Sequence, residues 1–75
     1  MELEAGKTYE ICHSSKGKFT GTVVGIVSCE DGEWVKIEVI DGVASAMMDY
    51  NVAYKGDIIT IRKSLIRSVS EVHPL

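Results

Sequence analysis

The sequence predicts a mainly all-β domain, a small five-stranded SH3-like or Sm-like barrel with one longer excursion, helical or irregular, before the fourth strand. Three observations point there. Apolar and polar residues alternate with period two through most of the chain. Lys16-Gly17, Asp31-Gly32, Asp41-Gly42 and Gly56-Asp57 punctuate that alternation with turn signals at short intervals. The 75 residues suffice for one small domain, residues 1–75, and no more.

Each element follows from its own residues. "TYEICH" reads as a first strand. "KFTGTVVGIVS" is a long second one that places Phe19, Val23 and Val27 on one face, with Gly21 and Gly25 between them. Glycines inside a strand mark a bend or a close backbone contact, and two of them in so long a strand suggest the coiling that closes a small barrel. "WVKIEVI" sets Val35, Ile37 and Val39 on one face and Lys36 and Glu38 on the other. "GVASAMMDYNVAYKG" breaks the alternation. Ala44, Met47, Met48 and Asn51 fit one side of a short helix, and a strand from Val43 to Met48 is the competing reading. "DIITIRKS" and "IRSVSEV" are the last two strands, joined by one tight turn over Lys63-Ser64-Leu65-Ile66, and Pro74 ends the run.

Composition bounds the function. Hydrophobic residues make up 45% and charged residues 25%, which argues against disorder. A domain of this size has a thin core and tends to need a staple, so a homo-oligomer is expected. No apolar run approaches the roughly 20 residues that span a bilayer, and "MELEAGKTYE" is acidic rather than signal-like. The expectation is a soluble, cytoplasmic protein without a membrane role. Cys12 and Cys29 fall at strand positions that could be neighbours, but two reduced thiols are favoured over a bridge. The net charge of −3 is unevenly spread. Lys16 and Lys18 lie in an acid-free stretch between the cysteines, and Arg62, Lys63 and Arg67 lie in another between Ile58 and Ser70. A single basic face forms if these stretches meet in space.

Short strands, tight turns and a late single-turn connection describe an SH3-like or Sm-like barrel. "GKFTGTVVGIV" followed by "ITIRKSLIRSV" resembles Sm-like RNA-binding proteins, including the bacterial RNA chaperone of that class. The same order resembles the type II dihydrofolate reductase, a tetrameric barrel with its site in a central pore. The reductase's Gln-Ile-Tyr signature is replaced here by Thr60-Ile61-Arg62. A further resemblance covers most of the chain: His13-Ser14-Ser15-Lys16-Gly17-Lys18-Phe19-Thr20-Gly21, Ala44-Ser45-Ala46-Met47, Tyr50-Asn51 and Arg62-Lys63-Ser64 resemble segments of short phage and prophage proteins. It implies a phage or prophage setting and no particular activity.

Three groups carry the candidate chemistry. In "HSSKGKFTG", the Lys16-Gly17-Lys18 turn could present successive amides to an anion, with hydroxyls from Ser14, Ser15 and Thr20 and a tunable donor in His13. The segment lacks Walker spacing, and a polar hairpin with solvated lysines explains it as well. Arg62, Lys63, Ser64 and Arg67 could offer a planar guanidinium fork to phosphate, or simply guard an edge strand. If the groups converge, His13, Lys16, Lys18 and Arg62 form one positive patch. Met47, Met48, Tyr50 and Tyr54, with Trp34, suit an adaptable protein interface or the lid of a thin core.

Cys12, His13, Cys29 and His73 lack metal-ligand spacing, and Ser14 beside His13 is no triad, because strand neighbours point to opposite faces. No metal, no cofactor and no catalytic residue is expected. The function expected is a non-enzymatic binding module for a phosphate-bearing ligand, nucleic acid or nucleotide, held by His13, Ser14, Lys16, Lys18, Thr20, Arg62 and Lys63. The alternative is an adaptor or inhibitor that docks on a host or phage protein. A pore-type enzyme similar to the reductase is a third and weaker reading.

Overall fold

The computed structural model describes residues 2–42 and 54–73. Its elements are β1 (Thr8–His13), β2 (Gly17–Cys29), β3 (Gly32–Asp41), β4 (Ile58–Arg62), a 3-10 turn η1 (Lys63–Leu65) and β5 (Ile66–Glu71). The strands form one antiparallel sheet in the order β4-β3-β2-β1-β5. β4 and β5 are its two ends and do not pair, so the sheet is not closed. The excursion expected over 43–53 lies outside the described residues. No helix among the described residues is long and apolar enough to cross a membrane.

The alternating pattern explains the core. Tyr9, Ile11, Phe19, Val23, Val35, Ile37, Val39, Ile61 and Ile66 are buried on the inner face, joined by Leu3 from the segment before β1. Burying such a side chain is worth about 1.5–3 kcal/mol, so this single layer holds most of the favourable free energy. The N-terminal segment is tied in by the Glu4 amide, which donates to the Tyr9 hydroxyl at 2.9 Å, by the Gly6 amide, which donates to the Val23 carbonyl, and by the Val23 amide, which donates to the Lys7 carbonyl.

The glycines of β2 act as expected, though not alike. Gly21 faces inward, and a Cβ there would run into the Ile37 Cγ2 methyl and lie 3.0 Å from the Glu38 carbonyl oxygen. Gly25 follows a break in register between Val23 and Gly25, where Val24 is the extra residue of a bulge. The bulge corrects one expectation. A one-residue shift moves every later side chain to the other face. Val27, read as inward with Phe19 and Val23, therefore faces out opposite Trp34 and is 52% exposed. Ile26 stands opposite Val35 on the inner face, and is itself 40% exposed.

The β1–β2 connection is a three-residue loop closed by Gly17 at φ +75°, a left-handed value that favours glycine. The β4–β5 connection is the single tight turn expected, η1, with the Ile66 amide closing onto the Lys63 carbonyl. The cysteines are not neighbours. Cys12 pairs across from Lys18 and Cys29 across from Gly32, and both thiols are free.

Candidate binding surface at the first turn

His13 is the inward-facing end of the Tyr9, Ile11, His13 row, and it is only 6% exposed. Its Nδ1 accepts from the backbone amides of Ser15 and Lys16, both at 3.2 Å, and lies 3.3 Å from Ser15 Oγ. A ring nitrogen that accepts two amides carries no proton, so the neutral ring has its hydrogen on Nε2. Among the described residues that atom is buried without a partner. Burial, and secondarily the Lys16 ammonium, push the imidazole pKa below its ordinary value.

These contacts revise the expected anion cradle. The amides of Ser15 and Lys16 point at His13, and the Ser14 amide donates to the Leu65 carbonyl at 3.0 Å. Three successive backbone donors of the turn, Ser14, Ser15 and Lys16, are spent within the fold. His13 is a turn cap, not an exposed ligand donor. Much of "HSSKGKFTG" thereby acquires a folding role: His13 caps, Gly17 supplies the left-handed residue, Phe19 fills the core and Gly21 admits Ile37.

The cations do not pool either. Lys18 pairs with Glu10 at 3.2 Å, and Lys63 with Glu33 at 3.4 Å. Arg62 reaches Asp31 in the β2–β3 turn at 2.8 Å and lies over the Trp34 ring, 4.9 Å from its centroid. Trp34 Nε1 donates to the other Asp31 oxygen at 3.2 Å. Of the expected patch of His13, Lys16, Lys18 and Arg62, His13 is buried and Lys18 and Arg62 are each paired with a carboxylate. Trp34 is half-buried within this cluster, and Thr20 and Tyr54 are half-buried elsewhere. Met47, Met48 and Tyr50 lie outside the described residues.

The two acid-free stretches nevertheless meet, through Ser14 and Leu65 rather than through Arg62. The β1–β5 register shifts between Cys12 and His13, where Cys12 opposes Ser68 and His13 opposes Ile66. Arg67 is the extra residue of that bulge and is exposed. Bulges re-aim side chains in this way. Among the described residues, neither Lys16 nor Arg67 has a carboxylate partner. The resulting rim of Ser14, Ser15, Lys16, Lys63, Ser64 and Arg67 is cationic and rich in hydroxyls.

A hollow of about 210 Å³ is lined by Glu10, Lys18, Phe19, Thr20, Asp41 and Gly42. Among the described residues no cluster of histidine, cysteine and carboxylate side chains could hold a metal ion. No family model matches the chain, and no curated protein or solved structure matches it either.

Proposed function

We propose that this chain is a non-enzymatic binding module for a phosphate-bearing ligand, nucleic acid or nucleotide, held at the rim where the first turn meets η1. The bond from the Ser14 amide to the Leu65 carbonyl carries the reading, because it joins the two acid-free stretches into one surface. Lys16 and Arg67 are the primary contacts. Lys63 and Lys18 can join them, since exposed ion pairs such as theirs are worth no more than about 1 kcal/mol and exchange readily for a phosphate. Ser14, Ser15 and Ser64 add hydroxyl donors. His13 contributes by shaping the turn.

The strand order and the single-turn η1 support an SH3-like or Sm-like class, and the thin core fits a homo-oligomer; the phage or prophage setting rests on the sequence resemblance alone. Binding would be mainly electrostatic, with affinity falling as salt rises. The test is native mass spectrometry with an ultraviolet spectrum of gently purified protein, repeated on Lys16→Glu with Arg67→Glu. Bound nucleotide or nucleic acid that is lost in salt and in the double variant supports the reading. Bound material that survives both refutes the rim.

A second reading is favoured by a different observation. Val24, Val27 and Ile58 expose 48%, 52% and 58% of their surfaces on the outer face of β2–β3–β4, Val27 opposite Trp34 and Ile58 opposite Glu38. Such a strip suits a protein–protein adaptor or an inhibitor of a host protein, with Trp34 as anchor. Replacing Val24 and Val27 by serine would abolish that docking and leave phosphate capture intact.

A further inference from the structure

We propose that His13 is a pH-sensitive latch, whose neutral ring holds the 14–16 turn closed and whose protonation releases it. The geometry gives the proton nowhere favourable to sit. On Nδ1 it would face the Ser15 and Lys16 amides, two donors already aimed at that nitrogen, with Ser15 Oγ at 3.3 Å as the one acceptor alongside. On the far side Nε2 already lacks a partner among the described residues, so the charged ring would have a buried, unsatisfied donor as well.

The electrostatic surroundings point the same way. Lys16 on the turn is the charged group that acts on the ring. The residues paired with His13, Gly17 on β2 and Ile66 on β5, carry no charge. The ionisable groups flanking them are Cys12, Lys18 and Arg67, with Lys63 on η1; the carboxylates nearby, Glu10 and Glu33, are paired with Lys18 and Lys63. Burial and Lys16 together favour the neutral ring at neutral pH.

Release of the turn frees the amides of Ser15 and Lys16 and loosens the segment that delivers Ser14 to Leu65 and Lys16 to the rim. The latch belongs to the fold whatever the rim binds. Its effect on ligand capture rests on the phosphate-binding reading above.

The experiment is amide hydrogen exchange at Ser15 and Lys16, corrected for intrinsic rates, from neutral pH to about 5, across the range where histidine titrates. In the unmodified chain, protection at these amides should be lost as pH falls. In His13→Asn it should stay level, because the Asn oxygen can replace Nδ1 as acceptor in an Asx-type turn and does not titrate. Level protection in the unmodified chain, or equal loss in both proteins, overturns the proposal. Nitrogen NMR of His13 in the unmodified chain gives a test independent of the variant's folding. A neutral-pH proton on Nδ1 instead of Nε2 would overturn the latch. Adding pyrophosphate at both pH values separates the two readings: loss of protection on acidification without capture at either pH removes the rim and leaves the latch.

Discussion

Replacing Gly21 by alanine should destabilise the protein by an amount the local geometry allows one to work out. The added methyl meets the Ile37 Cγ2 and, at 3.0 Å, the Glu38 carbonyl oxygen. Neither neighbour yields easily. Ile37 is β-branched and fully buried, and the Glu38 oxygen is backbone of β3, fixed between the Gly21↔Val39 and Thr22↔Glu38 pairs. Forcing a methyl into such packing costs about 1–3 kcal/mol, and the rigid neighbours place this site toward the upper end. Against it stands the stiffer unfolded chain of alanine, which contributes about 0.4–1 kcal/mol in favour of folding. The net cost is about 2 kcal/mol. In a domain of this size that lowers Tm by about 8–16 °C. Gly25→Ala is the control: its Cβ would meet nothing within 4 Å, so the unfolded-state term should act alone and leave stability equal or slightly raised. Thermal and urea melts followed by far-ultraviolet circular dichroism read both. Equal melting points for the two variants would refute the close-approach argument and the β2–β3 register behind it.

Further expectations concern the core, the Arg62 cluster and pH. Ile11→Ala removes a fully buried side chain and should cost about 2–5 kcal/mol, enough to unfold a large share of so small a domain, as read by urea melts. A double-mutant cycle on Asp31→Ala and Arg62→Ala should return a coupling below about 1 kcal/mol that fades in salt, because both side chains are well exposed. A large, salt-insensitive coupling would mean that the cluster is buried. Stability should rise from acid toward neutral pH. The folded imidazole of His13 gives up its proton at lower pH than the unfolded one, so the unfolded chain binds more protons in that window. The contribution is complete above the ordinary value of 6.5 and is lost as pH falls through the folded value, so His13→Asn should flatten that part of the profile.

How much of this was legible depended on whether the governing contact was local. Val35, Ile37 and Val39 declared their face by alternation alone, and η1 followed from the spacing of the last two strands. Gly21 was legible as a close contact, but its partner Ile37 was not, because the β2–β3 register lies between them. Gly25 marked an irregularity in β2, but not that Val24 would be the extra residue of a bulge, which is what turned Val27 outward. His13 could have been read from the same alternation. It stands two residues past Ile11 and four past Tyr9, both inward, so its parity marked it as buried despite the polar company of Ser14 and Ser15. The partner of Arg62 could not be read, for Asp31 lies 31 residues away in a turn whose Asp-Gly pair signals only a hairpin. The rim was half legible. Its acid-free stretches stood out by composition, while their meeting through Ser14 and Leu65 needed the β1–β5 register.

The measurement that tests the central claim most directly is a titration of the isotopically labelled protein with a short single-stranded oligonucleotide and with pyrophosphate. Backbone amide shifts would be followed at low and at high salt. The account expects the largest shifts at residues 14–16 and 63–68, shrinking as salt rises. Shifts confined to the outer face around Val24, Val27 and Trp34, or no shifts with either probe at low salt, would contradict it.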